Sequence, residues 1–566
     1  MIKKWELYEH RETKEELEQL KEQISNEFNI SKLLAGVLVN RGLVQSEQIQ
    51  VFLNPTRNDF HDPMLLPDME KAVQRILKAI QQKEKIVIYG DYDVDGITSI
   101  TVLKKFLTER GICVQEYIPN RLDEGYGLNK EAIKTIYEQQ NQLMITVDCG
   151  ISGIEEIDYA NRLGMEVIVT DHHEPLEELP KGVAVIDPKR KDSRYPFRGL
   201  AGVGVVFKLI QALGRVLQLE EKEYLKYLDL VCVGTISDIV PLVDENRVIT
   251  KLGLRLVEKT KNIGLRELIK ASGFQAIDSN TISFGIAPRI NACGRMGHQE
   301  EALELFLTQE EEQAKQITEH LNNYNKQRQD TEKRIFEQAI GKIEEQPESP
   351  CIVLGDDSWH HGVIGIVSSK VTDMYFKPSI LICFEGEEGK GSGRSIPGFD
   401  LHEALGKCST YLEKYGGHEM AVGVSLKKHN FDAFRKQFEE IVKQSNIQDL
   451  LPVIYVDEQI CLKNLDISFV KELQLLQPFG EGNKVPLFLF RNVKIDSIRS
   501  LSEGKHLRLT LKEDSAIMNA IGFNLGELAE EYHIGDKIDA VGVLEINTFN
   551  GKDSIQLNLK DIRKAY

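Results

Sequence analysis

The chain has 566 residues, of which 41% are hydrophobic and 28% charged, with a formal net charge of −18 at pH 7. A chain of this length is too long to fold around a single hydrophobic core, so we expect a globular protein of roughly three or four domains. The apolar runs are too short to span a bilayer, and MIKKWELYEHRETKEE lacks the core of a signal peptide, so a cytoplasmic location is expected. The acidic balance excludes a surface that is basic throughout, so nucleic-acid binding would depend on a local basic groove and on divalent cations.

The first part of the chain changes from helical patterns to an alternating one. Residues 1–80 show three- and four-residue apolar spacing, as in MEKAVQRILKAIQQ, and are expected to form a helical segment packed on the next domain. Over residues 81–305, the apolar runs IVIYG, CVQEYI, LMITV, EVIVT and VAVI alternate with helical patterns. This alternation predicts βαβ units and a parallel, doubly wound α/β domain, with residues 243–305 as its helical continuation.

Residues 306–347 predict one long helix in a highly charged background. Its apolar positions keep a three- and four-residue step: Ala314, Ile317, Leu321, Tyr324, Ile335, Ala339 and Ile343. One packed stripe favours a helix that connects two domains, although a coiled-coil arm would show the same stripe. Residues 348–445 then predict a second α/β domain that contains the glycine-rich stretches GKGSGRS and YGGHEMAVG.

Residues 452–566 consist of short alternating strands, such as LFLFRNVKIDSIRS and HLRLTLKE. This pattern predicts a small Greek-key barrel of the OB type, a fold that commonly binds single-stranded nucleic acid. Lys505, Arg508 and Lys512 are candidate backbone contacts, but ordinary solvent-facing strand charges explain them nearly as well. A purely structural barrel remains the alternative.

Carboxylate and imidazole side chains follow several of the apolar runs. Asp93 and Asp95 follow IVIYG in DYDVDG, Asp148 follows LMITV, His172 follows EVIVT, and Asp238 follows VGTIS. If each run is a parallel strand, these side chains meet at one edge of a sheet. Such ligands without thiolate fit Mn²⁺ or Mg²⁺, with Zn²⁺ or Co²⁺ as alternatives. A lone DxD is usually a loop or a helix cap, so it is the ordered set that favours a metal site.

The motifs DYDVDG, VDCG, DHH and SDIVP, in this order, resemble the four motifs of the DHH phosphoesterase superfamily. FLNP, LLPDM, RGLAGVGVVFKL, PRINACGR, WHHGVIGIV, GSGRS and QPFGEGN narrow the resemblance to the bacterial RecJ family of 5′→3′ exonucleases specific for single-stranded DNA. The resemblance covers nearly the whole chain. It implies a DHH catalytic domain over 81–305, a connecting helix over 306–347, a DHHA1 domain over 348–445 and an OB-fold nucleic-acid-binding domain over 452–566.

The resemblance implies a two-metal site that uses Mn²⁺ or Mg²⁺. Its implied ligands, which are also the implied catalytic residues, are Asp93, Asp95, Asp148, His172 and Asp238, with Asp148 between the ions. His173, the remaining implied catalytic residue, resembles a contact to the scissile phosphate, and Asp91 and Asp171 resemble supports for the ligands. Any of these three residues could instead only orient the site. Other DHH branches often carry histidine where this chain has Tyr89, so one metal is expected to be more open or weaker.

A further set of residues resembles contacts to DNA. Arg121, Ser392 and Arg394 resemble a pocket for the 5′-phosphate, which places the strand between the two α/β domains. Tyr126 and Phe399 are candidates for stacking on bases, with core packing as the alternative. The other candidate phosphate contacts are Arg289, Asn291, Arg295, His361 and His418. Interdomain salt bridges are the alternative for the two arginines of PRINACGR.

The resemblance implies a metal-dependent 5′→3′ exonuclease that hydrolyses single-stranded DNA to 5′-mononucleotides in DNA repair and recombination. Single-strand-binding protein and a RecQ-type helicase are expected partners, no membrane is expected as a partner, and a monomer is the expected state. A DHH phosphodiesterase for oligoribonucleotides or cyclic dinucleotides is the main alternative, and a pyrophosphatase is another. Both of these kinds of enzyme have a shorter domain organisation that does not require the OB-like C-terminal region. A non-catalytic DHH replication scaffold is the third alternative, and the intact ligand set counts against it.

Overall fold

The computed structural model describes all residues except 1–2, 9–12, 121–123, 126, 446, 566 and the side chain of residue 448. The α-helices are α1 (Lys14–Phe28), α2 (Lys32–Asn40), α3 (Ser46–Leu53), α4 (Met69–Gln82), α5 (Val94–Thr108), α6 (Lys130–Glu138), α7 (Ile154–Leu163), α8 (Gly202–Val216), α9 (Lys222–Leu225), α10 (Leu228–Ser237), α11 (Asp244–Val257), α12 (Ile263–Ser272), α13 (Ala287–Met296), α14 (Gln299–Leu307), α15 (Glu311–Glu344), α16 (His361–Tyr375), α17 (Leu401–Gly406), α18 (Phe431–Gln444), α19 (Ile467–Glu472) and α20 (Leu528–Glu531).

The strands are β1 (Lys4–Leu7), β2 (Ile86–Gly90), β3 (Val114–Tyr117), β4 (Leu143–Val147), β5 (Glu166–Thr170), β6 (Ala184–Ile186), β7 (Ile352–Asp356), β8 (Ser379–Glu385), β9 (Glu388–Arg394), β10 (Lys414–His418), β11 (Ala421–Lys427), β12 (Val453–Val456), β13 (Glu458–Gln459), β14 (Phe488–Leu501), β15 (His506–Glu513), β16 (Ala516–Gly522), β17 (Lys537–Phe549) and β18 (Lys552–Lys564). The chain divides into a smaller unit of residues 1–61, 239–252 and 452–566 and a larger unit of residues 62–238 and 253–451.

The larger unit begins with a parallel sheet in the strand order β3-β2-β4-β5-β6, which confirms the predicted doubly wound fold. All five residues of β2 and all five of β4 are buried, as expected for strands covered on both faces. The first strand, β2, has β3 on one side and β4 on the other. The strand order therefore reverses between β2 and β4, and ligand sites of open α/β sheets form at the carboxyl ends of such a pair.

The long helix α15 and a second α/β domain complete the larger unit. The apolar stripe of α15 is buried except for Tyr324, which is half-buried. The helix packs on α12, α13 and α16 of the same unit, so the stripe needs no coiled-coil partner. The second sheet has the order β10-β11-β9-β8-β7 and is antiparallel except for the pair β7 and β8. Its core includes Ile382, Phe434 and Phe438.

The smaller unit contains the predicted barrel of the OB type. Five strands pair in the order β14-β15-β16-β18-β17, and β14 also pairs with β17, which closes the barrel. On β15, Leu507, Leu509 and Leu511 are buried inside, while Arg508 between them is exposed. This alternation is the period-two pattern that predicted the strands. Within the described residues, no helix combines the length and the hydropathy that crossing a bilayer requires.

The N-terminal segment differs from the prediction for residues 1–80. The helices α1 to α3 share a hydrophobic core with the barrel, in which Leu34 and Leu38 lie with Leu473 and Phe488. Of this segment, α4 packs against β6 and α8 of the larger unit. The sequence of α2, KLLAGVLVN, is apolar on nearly every side, and such a helix must be buried on all sides. Helical spacing predicts this burial but does not indicate which domain the helix packs against.

Candidate metal centre

Four predicted ligands converge at the switch point of the parallel sheet. The Nε2 atom of His172 lies 3.1 Å from Asp148 Oδ1, 3.6 Å from Asp238 Oδ2 and 3.9 Å from Asp95 Oδ2. Possible ligand atoms lie within 4.8 Å of one another in three overlapping groups: Asp148 with His172 and His173, Asp95 with His172 and Asp238, and Asp91 with Asp93 and Asp148. All five residues predicted as ligands belong to at least one of these groups.

The DYDVDG motif forms the start of α5. Asp93 is the N-cap residue, and its Oδ1 accepts hydrogen bonds from the backbone N–H groups of Asp95, at 2.9 Å, and Gly96, at 3.1 Å. A Cβ atom on Gly96 would lie 2.3 Å from the carbonyl oxygen of Asp91, so this tight turn requires glycine. Asp93 is therefore both a helix cap and a member of the acidic cluster, and the two interpretations of DxD do not exclude each other.

The carboxylate of Asp95 is held by the N-terminus of α8. Its two oxygens accept hydrogen bonds from the backbone N–H groups of Gly202, at 2.6 Å, and Val203, at 2.8 Å. Free N–H groups and the helix dipole favour an anion at this position. A Cβ atom on Gly202 would lie 2.6 Å from Asp148 Oδ1. The site thus needs Gly202, which the motif RGLAGVGVVFKL contains but which sequence reasoning did not single out. A glycine at the start of an apolar helix was the available signal.

Asp148 and Asp238 reach the cluster from different kinds of element. Asp148 follows β4 with a φ of 59°, in the left-handed region, and its backbone N–H donates to Thr170 O at 3.0 Å. Asp238 is the C-cap of α10, so the interpretation of VGTIS as a strand is wrong. The sequence LVCVGTI is buried throughout, and a continuous apolar run of this length does not distinguish a buried helix from a buried strand.

Asp171 supports the histidine pair. Its Oδ1 accepts hydrogen bonds from the backbone N–H groups of His172, at 2.7 Å, and His173, at 3.1 Å, and lies 2.7 Å from His173 Nδ1. Its Oδ2 accepts one from Ile151 N at 2.9 Å. These bonds fit a supporting role. Asp91 is grouped with Asp93 and Asp148, so it is close enough to be a ligand itself, and its supporting role stays a prediction.

The electrostatics of the cluster fit divalent cations. Burial, reinforced by Asp93, raises the pKa of Asp95 to about 7, and burial with the charges of Asp95 and Asp93 raises the pKa values of Asp148 and Asp238 far above their usual range. Burial lowers the pKa of His172 to about 3, which keeps its imidazole neutral. Asp148 Oδ1, Asp238 Oδ2 and His172 Nε2 are buried without a hydrogen-bond partner in the described structure. Cations at these atoms would balance the charge and use the unpartnered lone pairs.

The side chain of Tyr89 packs in the core and is not placed to bind a metal ion. Its hydroxyl donates to Gly127 O at 3.0 Å, and its ring stacks on Tyr117 with centroids 5.1 Å apart. The side chain belongs to the core between β2, β4 and α6. The expectation of a more open or weaker second metal therefore stays a prediction.

Ser392 and Arg394 lie side by side on β9. Residues two apart on a strand face the same side, and Arg394 donates to Ser392 Oγ at 3.1 Å. Both lie against α16 at Gly365, where a Cβ atom would be 3.0 Å from Ser392 Oγ. His361 is the first residue of α16, and His418 is exposed at the end of β10. Arg121 and Tyr126 lie outside the described residues.

The residues of PRINACGR make bonds within the chain. Arg289 donates to Asn322 Oδ1 at 2.6 Å, to Ala271 O at 3.1 Å and to Gly285 O. Arg295 donates to Gly362 O at 2.9 Å, and Asn291 accepts from the backbone N–H of Val94 at 3.3 Å. These bonds are neither phosphate contacts nor interdomain salt bridges. Among them, the bond from Val94 connects α13 to the turn of the DYDVDG motif.

One stacking candidate is wrong. Phe399 is 7% exposed and belongs to the core of the second α/β domain, where it contacts Phe438 with ring centroids 6.3 Å apart. A base cannot stack on a ring that the core already covers.

Adding Mn²⁺ to the metal-stripped protein is expected to raise the melting temperature of the larger unit by several degrees. A ligand that binds only the folded state stabilises it by about 2.7 kcal/mol at about 100 times its Kd. Differential scanning fluorimetry with and without Mn²⁺ measures the shift. Asp148→Asn should lose most of it, whereas Asp432→Asn, at a carboxylate that is 76% exposed on α18, should keep it. Equal shifts in both variants would place the cation elsewhere.

The fold and the site define the class of the protein. A parallel sheet with an acidic cluster and a DHH pair at its switch point, followed by a connecting helix and a second α/β domain, is the plan of a DHH-type phosphoesterase. The family model for the DHH family, N-terminal domain, matches residues 85–235, the DHHA1 domain matches 330–444, and the RecJ OB domain matches 456–561.

Relatives and solved structures narrow the class. The chain is 39% identical over 545 residues to the single-stranded-DNA-specific exonuclease RecJ of Bacillus subtilis, covering 95% of this chain and 69% of that protein. The RecJ of Dickeya dadantii is 32% identical over 561 residues, covering 94% and 96%. The crystal structure of RecJ from Thermus thermophilus in complex with Mn²⁺ matches with a TM-score of 0.86 and 29% identity over 100% of this chain and 80% of that one. This chain belongs to the RecJ family.

Proposed function

We propose that this chain is a metal-dependent 5′→3′ exonuclease that hydrolyses single-stranded DNA to 5′-mononucleotides and acts in DNA repair and recombination. The observation that carries the proposal is the convergence of Asp95, Asp148, His172 and Asp238, with three unpartnered buried ligand atoms, in a member of the RecJ family. The Thermus thermophilus RecJ structures hold Mn²⁺ in one case and Mg²⁺ in another, which supports these ions here.

The chain's own residues would build the reaction site. Two ions, held by Asp93, Asp95, Asp148, His172 and Asp238, would activate water and stabilise negative charge on the phosphoryl group. The N-terminus of α8 fixes the carboxylate of Asp95, so this ligand is already oriented before an ion binds. Asp171 fixes the imidazole of His173, whose side chain is 46% exposed and so accessible to a phosphate.

The exonuclease proposal predicts a polarity that one assay can measure. With Mn²⁺, the protein should release 5′-mononucleotides from the 5′ end of single-stranded DNA and leave blunt duplex DNA intact. The assay follows single- and double-stranded oligonucleotides labelled at either end, with Mn²⁺ or with a chelator. Cleavage of dinucleotides alone would favour the phosphodiesterase alternative. A protein that is inert on all substrates with Mn²⁺ would favour the scaffold alternative instead.

We expect Arg394 to recognise the 5′-phosphate. Arg394→Ala should reduce the advantage of a 5′-phosphorylated over a 5′-hydroxyl oligonucleotide by about 10- to 100-fold, because a hydrogen bond to a charged group contributes about 1.5–3 kcal/mol. The measurement is kcat/KM on both substrates. Lys436→Ala removes an exposed positive charge from α18 and should leave the ratio unchanged. Equal losses on both substrates would mean that Arg394 provides only general electrostatic attraction.

The proposal also includes the location, the oligomeric state and the protein partners of the chain. They are a cytoplasmic location, a monomeric state, and single-strand-binding protein and a RecQ-type helicase as partners. The OB-type barrel supports a single-strand partner, since this fold combines a basic groove with stacking surfaces in many proteins. Light scattering of the purified protein would test the monomer, and co-purification with each partner would test the associations.

A further inference from the structure

A groove opens beside the free edge of the parallel sheet. The strand β3 is the edge strand and, among the described strands, pairs only with β2. On its other side lies α14, and the groove between them encloses about 670 Å³. All of its lining residues belong to the larger unit. On one side, this edge-strand groove is lined by residues between 116 and 120 and by residue 124, and on the other by residues between 299 and 313.

The edge-strand groove presents carboxylates on an apolar floor. Four glutamates line it: Glu116, Glu124, Glu300 and Glu304. Among its described lining residues there is no lysine, arginine or histidine. The floor between the carboxylates is formed by Ile118, Leu303 and Leu307.

Two of the four glutamates already have strong partners in the chain. Glu116 forms an ion pair with Lys104, and Glu124 accepts hydrogen bonds from Asn120 N at 2.8 Å and from the hydroxyl of Tyr117 at 2.9 Å. On α14, Glu304 accepts only an amide hydrogen bond from Gln313, and Glu300 has no ion-pair partner among the described residues. Among the described residues, the uncompensated negative charge therefore lies on α14, opposite the strand edge.

Gln299 gives an independent indication of a ligand. This residue lines the groove and is only 4% exposed, yet its amide oxygen is buried without a hydrogen-bond partner in the described structure. A buried acceptor left unpaired costs about 1–3 kcal/mol. A donor that enters the groove, with a small rotation of the amide, would remove this cost.

We propose that the edge-strand groove binds an extended basic segment of a partner protein, which adds to β3 as a further strand and places lysine or arginine side chains against Glu300 and Glu304. Addition of a strand to an exposed sheet edge is a recurring mode of peptide recognition, in which backbone hydrogen bonds give affinity and side-chain pockets give specificity. Side chains alternate along such a strand, so every second residue would face α14, where the aliphatic stem of a lysine or arginine would contact Leu303 or Leu307 and its charged end would meet a carboxylate.

The described lining residues of the groove disfavour DNA as its occupant. Phosphates would meet four carboxylates and no basic side chain among the described lining residues. The glutamates also do not form a group with the close spacing of a metal site, since every such group found in the described residues lies in the metal centre. The proposal therefore concerns a surface other than the metal centre.

A labelled peptide tests the proposal on the full chain. The probe is a fluorescein-labelled heptapeptide in which lysine and arginine alternate with valine, and anisotropy is measured with saturating Mn²⁺ so that the metal centre does not attract the basic side chains. Glu300→Gln combined with Glu304→Gln should weaken binding at least tenfold. Glu319→Gln combined with Glu337→Gln makes the same charge change at exposed positions of α15 and should leave binding unchanged. Equal affinities of the two double variants would overturn the proposal.

Two further measurements separate strand addition from simple charge attraction. Binding should slow amide hydrogen exchange in β3, and a peptide with proline in place of valine should bind at least tenfold more weakly, because proline cannot donate to a sheet. Gln299→Leu should weaken binding without lowering the melting temperature, since it removes an unpaired polar group. Unchanged exchange in β3 or equal binding of the proline peptide would overturn strand addition. The nuclease activity of the groove variants should equal the parent's, so a failed exonuclease assay would leave this test intact.

Discussion

Asp148→Asn is expected to lower the rate of single-strand hydrolysis by about a thousandfold, since stabilisation of the transition-state charge by a bound ion contributes several kcal/mol. Asparagine keeps the shape of the side chain but loses its charge. Its amide would also lie near His172 Nε2, which is 3.1 Å from Asp148 Oδ1, and could donate a hydrogen bond to it. The substitution would thus remove one ligand and occupy the lone pair of another.

The melting temperature of the metal-free protein is the control measurement for Asp148→Asn. Burial and the neighbouring Asp95 and Asp93 raise the pKa of Asp148, so the metal-free folded state opposes its charge. Without metal, the variant should therefore melt at or above the temperature of the parent, while kcat at saturating Mn²⁺ falls. Asp432→Asn should change neither quantity. Activity near the parent level would refute the ligand role, and a lower melting temperature would show that the loss arises from misfolding.

The strands that carry the candidate metal centre can be predicted from short stretches of sequence. The strands β2, β4 and β5 are rich in branched residues, and each is followed within a few residues by a polar side chain. Burial on both faces favours apolar side chains at most positions of such a strand, which makes the strand visible in the sequence. The same reasoning failed at Asp238, because the helix α10 is also apolar all round.

Contacts between segments that lie far apart in the sequence could not be predicted from these patterns. The bonds from Gly202 and Val203 to Asp95 join residues more than 100 positions apart, and no periodicity indicates them. Basic residues were equally ambiguous. Arg289 is a candidate phosphate contact, and in the structure three acceptors of the larger unit hold its guanidinium. Whether a charged side chain meets solvent, substrate or its own backbone depends on packing that local sequence does not encode.

Another residue that the sequence did not reveal is Arg247, in the smaller unit. It lies on α11 and is 1% exposed. Its guanidinium donates to four backbone carbonyls: Phe52 at 2.6 Å, Leu476 at 3.0 Å, Gln477 at 3.0 Å and Leu475 at 3.2 Å. It also lies 3.6 Å above the ring of Phe52. One side chain thereby joins α11 to the end of α3 and to the segment before the barrel.

Arg247→Met should destabilise the smaller unit by about 3–5 kcal/mol, because methionine fills much of the volume but leaves the buried carbonyls unpaired. The chain has two tryptophans, and Trp5 lies in this unit, so urea unfolding followed by fluorescence in a Trp359→Phe background reports on it. Arg255→Met makes the same change at an exposed position of α11 and should leave the midpoint nearly unchanged. Arg247→Lys should be intermediate, since an ammonium group donates to fewer of the four carbonyls. Equal midpoints for the two methionine variants would mean that the carbonyls find other donors, and that Arg247 does not hold this unit together.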